Sequence, residues 1–500
     1  MLCTFLLIFA SALHSCWSDA VAQPNPVRYA MLVDCGSSGS RAYVYYWPSG
    51  TQSTEALIGS IKKVRQANGD VASLQVKPGL TSVREDPDAA SEYMRPFMDF
   101  ARAHIPSTHR STSPILFLAT AGLRLLSDDL QHRIINDIET DLRQDYSDFA
   151  DIRARVISGF EEGMYQWLSA NEAANRLTKQ PAYGSFNGRG AHFAVVEMGG
   201  ASIQVTFELT PQLGAIVESR LARLSSPEAR NLFHKSREYV QLGPENGAQL
   251  FSVSFLGFGS KSARDLATDL LLRDFAQSAW LIAAYIRPNS TLVLEDPCLA
   301  PGAVETVQKP IAILRQHGHK IGRSVPADAA KLSVKLIGTL GNYNLCQRLY
   351  VRAVVIAKHE RYQCSNRGPL IDPCSVSLLA TDFVPFARMQ TIALSEFYYT
   401  SHSFYDTSGQ YVTPVALAKI AHLCSTPYLQ LLRLYSKEVE QDSERVLLGC
   451  SKLNWAYVWL HFALKMPLNH VTADLTQIQR LNSIDIEWTR GAVLLTAINT

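Results

Sequence analysis

The chain has 500 residues, of which 47% are hydrophobic and 18% charged, a composition that supports sizeable buried cores and excludes global disorder. Its formal net charge is +2, with no long Lys/Arg run, which argues against nucleic acid or an anionic membrane as the main partner. As a soft prior, the length corresponds to roughly two to four domains.

The first predicted element is a secretory signal. The apolar stretch from Leu2 to Leu13 is too short to span a bilayer, and Ala20-Val21-Ala22 follows in a small-x-small pattern that suits signal peptidase. Residues 1–22 are therefore expected to be cleaved, leaving a soluble, exported chain from near Gln23. A lipoprotein site at Cys16 is the weaker alternative, since His14-Ser15 is a poor match to the small pair it needs. No later apolar run approaches the roughly 20 residues of a membrane helix. AYVWLHFAL (456–464) reads as a core helix.

Residues 29–47 read as strand, Gly/Ser turn, strand, with Ala42 and Val44 alternating with tyrosines. PILFLAT (114–120) reads as a buried strand, and 127–146 as a helix capped by Ser127. A strand is predicted at 153–159, a helix at 161–177, a turn-rich loop at 180–190 and a second hairpin at 191–209. Strands alternating with helices indicate an α/β protein. After about 260 the chain is expected to be more helical, with Pro/Cys-containing loops at 287–302 and 363–375.

Beyond Cys3 and Cys16 in the signal, Cys35 stands alone and reads as a small buried thiol. Six cysteines lie late: Cys298, Cys346, Cys364, Cys374, Cys424 and Cys450. An even late set in an exported chain predicts disulfides, with 15 possible pairings. The competing zinc reading lacks Cys-x-x-Cys spacing and a His cluster.

One repeat stands out. VDCGSSGSRAYVYYW (33–47) is echoed by VEMGGASIQVTFEL (196–209), which places Asp34 and Glu197 163 residues apart, a domain-sized period. Small residues after a strand let the backbone turn tightly and present N–H groups to an anion. Two such turns on opposed lobes could grip a polyphosphate from both sides. A carboxylate at the start of each would then need a cation between it and the phosphates, as Mg²⁺ supplies with one or two carboxylates. In ISGFEEGMYQW (157–167), Glu161 and Glu162 point about 100° apart on a helix. One could serve as a general base for water while the other sits at the positive end of the helix dipole.

Together these pieces resemble the apyrase family of GDPases and ecto-nucleoside triphosphate diphosphohydrolases. DCGSSGSR (34–41), KPGL (77–80), ATAGLRLL (119–126), SGFEEGMYQWLSAN (158–171), EMGGASIQ (197–204), SFLGFG (254–259), EFYY (396–399) and IEWTRGA (486–492) look like its motifs, in its order. The resemblance covers roughly Tyr29 to Ala492. It implies two actin-like (ribonuclease H-like) α/β lobes with the active site in the cleft between them. Lobe I would comprise 23–158 plus 472–500, and lobe II 159–471.

The implied activity is hydrolysis of terminal phosphates of nucleoside tri- and diphosphates with a divalent cation, Mg²⁺ or Ca²⁺. Glu162 matches the family's catalytic base, Ser202 and Gln204 the residues that hold the attacking water, and Asn171 part of their support. Thr120 and Ala121 match the contribution beside that water. Ser37, Ser38, Gly39, Ser40 and Arg41 match the first phosphate loop, and Gly199, Gly200 and Ala201 the second. Asp34 matches a metal-organising acid. Glu197 stands where the family commonly has Asp, one methylene longer. Tyr399 would stack on a nucleobase with Arg445 facing it, or both are ordinary packing and surface residues. Trp488 reads as packing. The resemblance also favours Cys424–Cys450 and Cys364–Cys374, leaving Cys298–Cys346. Nucleic acid and a membrane span are not expected, and oligomeric state is open. Rival readings are an exopolyphosphatase-type hydrolase, an actin-like sugar kinase and a secreted nucleotide-binding protein without catalysis. Asn289-Ser290-Thr291 is a glycosylation sequon, relevant in a eukaryotic secretory route.

Overall fold

Apolar runs broken by small turn residues fold as the hairpins that their alternation predicts. The computed structural model describes residues 27–50, 54–149, 151–177, 192–223, 233–242, 247–278, 286, 289–314, 331–362, 389–405, 409–464, 466 and 475–498. The expected signal (1–22), the loops at 180–190 and 363–375, and the Cys364–Cys374 pair lie outside them.

Strand β1 (Val27–Cys35) pairs antiparallel with β2 (Ser40–Pro48), with Asp34 opposite Arg41. β3 (Lys62–Lys63) and β4 (Ser73–Val76) pair with β2 on its far side. β5 (Ile115–Ala119) and β6 (Ile152–Val156) extend the sheet in parallel beyond β1. The second hairpin repeats this plan: β7 (Ala194–Met198) pairs antiparallel with β8 (Ser202–Glu208), with Glu197 opposite Gln204. β9 (Arg237–Gln241) and β10 (Gly247–Leu256) continue beyond β8.

A small separate sheet of β11 (Thr291–Glu295), β12 (Val304–Pro310) and β13 (Lys331–Ile337) follows. It falls partly on the predicted 287–302 loop, whose 291–295 segment is strand. β11 and β12 are almost wholly exposed or half-buried, and only β13 buries alternate residues, so their apolar pattern does not stand out. β14 (Thr391–Ser395) and β15 (Leu475–Gln477) then add parallel strands beyond β7. Both large sheets thus have an antiparallel hairpin flanked by two parallel strands, and the echo in sequence is an echo in topology.

Two helices cross between the sheets. Helix Gly159–Ala173 follows β6 of the first sheet but packs on β7, β8 and β10 of the second. Helix Trp488–Ile498 follows β15 of the second sheet and packs on that first helix and on β1. β15 (Leu475–Gln477) pairs with β14 and so belongs to the second sheet. The middle core takes Leu32 and Tyr45 from one sheet, Trp167 and Leu168 from the crossing helix, and Val195 and Leu250 from the other sheet. Full burial of each such side chain contributes about 1.5–3 kcal/mol. Each sheet has a separate apolar cluster on its outer side.

Local signals hold where they were read. Helix Asp128–Asp145 buries Ile134, Ile138 and Leu142 at four-residue spacing, and the Ser127 hydroxyl accepts the Leu130 N–H. Residues 456–464 lie in a buried helix that ends in a π-helical turn at Trp459–Ala463. Among the described residues, no helix is long and apolar enough to cross a membrane. Cys298–Cys346 and Cys424–Cys450 are disulfides, and Cys35 is a buried free thiol.

Candidate active site

The two hairpins present their turns to one another. Asp34 is the penultimate residue of β1, and the turn that follows closes with the Gly36 N–H donating to the Gly39 carbonyl at 3.1 Å. Glu197 is the penultimate residue of β7, and there the Gly199 N–H donates to the Ser202 carbonyl at 3.0 Å. A Cβ on Gly200 would lie 2.8 Å from the Ser37 Oγ, so the opposed turns approach as closely as they do because glycine is there.

Each turn has a support behind it. Gly79, from the KPGL stretch, packs so tightly that a Cβ would lie 2.5 Å from the Gly36 carbonyl oxygen. The Gly199 and Gly200 carbonyls accept the Ser260 and Lys261 N–H groups (2.9 and 3.0 Å) at the start of helix Ser260–Ser278.

Between the turns lies a cleft of about 260 Å³. It is lined by Asp34, Ser37, Ser38, Gly39 and Arg41 from the first hairpin, and by Glu197, Gly199, Gly200, Ala201 and Ser202 from the second. Thr120, Ala121, Glu162 and Tyr399 complete the sequence-predicted set that reaches it.

Helix capping separates the two adjacent glutamates. Ser158 and Glu161 form a capping box: the Ser158 Oγ accepts the Glu161 N–H (3.1 Å), and the Glu161 carboxylate accepts the Ser158 N–H (2.8 Å). Arg155 also pairs with Glu161 at 2.6 Å. Glu162, one residue further round the helix, faces the cleft. Its carboxylate pairs with Arg124 and accepts the Gln204 amide at 2.8 Å. The same amide nitrogen lies 2.7 Å from the Ser202 Oγ and 3.0 Å from the Ser254 Oγ. Burial raises the Glu162 pKa and Arg124 pulls it back, leaving it above the ordinary carboxylate value.

Asp34 and Glu197 share this field. Burial, and then the Glu162 charge, push Asp34 up to about 7, against the opposing influence of the Trp488 indole. Burial and then Glu162 push Glu197 up to about 8, against the opposing influence of Ser395 and with a further push from Asp34. Asp34 Oδ1 is buried without a hydrogen-bond partner. Among the described residues, no three His, Cys, Asp or Glu side chains converge as a closed metal site. The two turn acids are a donor set of the kind Mg²⁺ takes when phosphates and water supply the rest.

Four predicted residues do not line the cleft. Ser40 alternates to the opposite face of β2 from Arg41, where it is buried and bonded to Tyr93 (3.1 Å). Gln204 sits one layer back and orients Glu162 and Ser202. Asn171 lies about 14 Å along the helix from Glu162. It is buried and bonds to the Phe193 N–H (2.7 Å) and carbonyl (3.2 Å), so it anchors the helix to the start of β7. Arg445 stands over the Tyr399 ring, 5.9 Å from its centroid, and reaches Ser403. Sequence reading missed Arg124, whose partner is 38 residues away although the residue lies inside ATAGLRLL. It also took Trp488 as packing alone. Its ring does stack on Tyr165, but it also lines the cleft, beside Asp34.

Paired lobes of like topology, with opposed glycine-containing turns and carboxylates at their bases, define the actin-like class of α/β folds. Within that class the match is specific: the model of the GDA1/CD39 (nucleoside phosphatase) family covers residues 20–500, and the chain belongs to that family. It is 27% identical over 489 residues to ectonucleoside triphosphate diphosphohydrolase 7 of Mus musculus, covering 94% of this chain and 73% of that protein. It is 28% identical over 507 residues to the Golgi apyrase of Schizosaccharomyces pombe, covering 94% and 76%. Its fold is similar to that of nucleoside triphosphate hydrolases from Neospora caninum, with a TM-score of 0.59 at 16% identity over 95% of this chain and 93% of that one.

Proposed function

We propose that this nucleoside phosphatase is an exported apyrase that hydrolyses the terminal phosphates of nucleoside tri- and diphosphates in a cation-dependent reaction. The observation that carries the reading is the position of Glu162. It is a buried carboxylate with a raised pKa, held by Arg124 and Gln204 and facing a cleft between two opposed turns. The two disulfides and the family's Golgi and ecto-enzyme relatives support an extracytoplasmic location.

The polyphosphate lies between the turns, with backbone N–H groups and the serines of residues 37 and 38 on one side and residues 199–201 on the other. Asp34, whose Oδ1 has no partner, and Glu197 would hold the cation. A bound divalent cation such as Mg²⁺ or Ca²⁺ neutralises the charge that two carboxylates and a polyphosphate would otherwise bring together. Water rests between Glu162 and Ser202 and attacks the terminal phosphorus in line. Its proton passes to Glu162, the bond from phosphorus to the bridging oxygen breaks, and the shortened nucleotide leaves with the bridging oxygen. Gln204 keeps Glu162 and Ser202 in register. The nucleobase stacks at Tyr399, beside Arg445.

The deciding experiment is phosphate release by the purified chain from ATP, GDP and polyphosphate, with and without divalent cation. Cation-dependent release from both nucleotides is expected. Release from polyphosphate alone would favour an exopolyphosphatase, and no release from any substrate would favour a binding protein.

A further inference from the structure

Gln166 lines the cleft, although no sequence signal gave it a role. It lies four residues after Glu162 on helix Gly159–Ala173, so the two share a face, one turn and about 6 Å apart along the axis. Helical side chains lean toward the N-terminal end of their helix, which directs Gln166 back toward Glu162. Three residues further on, the Ser169 Oγ accepts the Glu487 N–H at 3.1 Å. Gln166 is thus set between Glu162 and the 487–489 segment, which also lines the cleft.

The side chain is only 3% exposed, and its Nε2 is buried without a hydrogen-bond partner. A bare amide donor away from water is costly, so such a position ordinarily carries an apolar side chain or a bonded polar one. The neighbouring acids do not take the donor. Glu162 accepts from Arg124 and Gln204, and Asp34 Oδ1 is itself without a partner. Among the described residues that line the cleft, Asp34 Oδ1 and Gln166 Nε2 are the buried side-chain polar atoms left unbonded. The first is an acceptor and suits a cation. The second is a donor and suits the opposite kind of group, an acceptor that enters with the substrate. A terminal phosphoryl group presents only acceptors, and its non-bridging oxygens carry the charge of the transition state. It also has to lie beside Glu162 for water held there to attack it in line.

We infer that Gln166 is a substrate-contacting residue: its Nε2 donates to a non-bridging oxygen of the terminal phosphoryl group, where a fixed donor offsets the negative field of the surrounding acids. This rests on the phosphohydrolase reading above.

The test is calorimetric binding of the non-hydrolysable β,γ-imido analogue of ATP to the full chain with Mg²⁺, with thermal unfolding of the ligand-free chain as the second readout. Gln166→Met keeps the length of the side chain and removes the donor. It melts at or above the wild-type temperature, because a buried unbonded amide is gone, and it binds the analogue about tenfold more weakly, the loss of one hydrogen bond to a charged acceptor. Gln166→Glu keeps the shape and sets a carboxylate against the phosphoryl oxygens, so its binding falls at least a further tenfold. Wild-type affinity in Gln166→Met overturns the contact. So does Gln166→Glu binding as tightly as wild type or more so, which would put the side chain on the waters of the cation instead. A Gln166→Met chain that melts well below wild type overturns it as well, since that is the mark of a packing residue. In each of these cases the wild-type chain still binds the analogue and the phosphohydrolase reading stands. Failure of the wild-type chain to bind it overturns that reading, and the role of Gln166 with it.

Discussion

Replacing Glu162 with glutamine removes the proton acceptor with little change of shape. General-base catalysis contributes about 10²–10⁴-fold, so Glu162→Gln should raise the barrier by about 3–5 kcal/mol. The structural cost is smaller. Breaking a buried ion pair outright costs about 3–5 kcal/mol because the remaining charge is stranded. Here the Arg124 side chain keeps 13% exposure, and the glutamine carbonyl can still accept from Arg124 and Gln204. A loss of about 1–2 kcal/mol is therefore expected, within the margin of a stable domain. The assay pairs phosphate release from ATP and GDP with nucleotide binding and thermal unfolding. Turnover should fall at least a hundredfold while binding and folding persist. The neighbouring Glu161→Gln is the control: its amide oxygen can still accept the Ser158 N–H, it loses only the charge paired with Arg155, about 0.2–1 kcal/mol, and it keeps its turnover. Near-wild-type turnover in Glu162→Gln, or an equal loss in Glu161→Gln, would refute the assignment.

Three further outcomes are expected. Gly79→Ala drives a Cβ to 2.5 Å from a backbone oxygen of the first turn, which cannot yield as a side chain would; it should cost about 1–3 kcal/mol in denaturant unfolding and lower phosphate release at least tenfold. Trp488→Phe keeps the stack on Tyr165 but loses the indole N–H that favours the charged form of Asp34; its melting temperature should hold while the cation concentration for half-maximal activity rises several-fold. Asp148 accepts hydrogen bonds from Arg102 and Arg110, and the Arg102 bond holds its carboxyl below the ordinary range. Its folded pKa is thus lower than its unfolded one, so the stabilisation is full at neutral pH and is lost as pH falls through the carboxylate range toward the folded value. Asp148→Asn should be about 0.2–1 kcal/mol less stable than wild type at pH 7 and converge with it in strong acid, as measured by unfolding against pH.

Much of the site was legible because its signals are local. A Gly/Ser turn between alternating apolar runs specifies a hairpin within about fifteen residues, so both turns and their acids could be found without a structure. The choice of Glu162 over Glu161 came from the family resemblance alone; the capping box that ties Glu161 to Ser158 is seen in the structure. Other features were not. Ser40 sits in a motif but on the far face of its strand, because side chains alternate with period two. The 291–337 sheet was missed because its strands are short and half-exposed. The use of Trp488 and Arg124 depends on partners that no local pattern names.

By itself, then, the sequence determined the α/β class and the two acid-bearing turns, which rest on backbone propensity and periodicity within a short window, and the likeness to the apyrases, which rests on the motifs and their order. Only the tertiary structure decided what those pieces do together. It brought Asp34, Glu162 and Glu197 into one field and drew Arg124 onto Glu162. Those are contacts between distant residues, made by two sheets that each carry the helix following the other's last strand, and their energies come from burial and charge that exist only once both sheets have closed on the crossing helices.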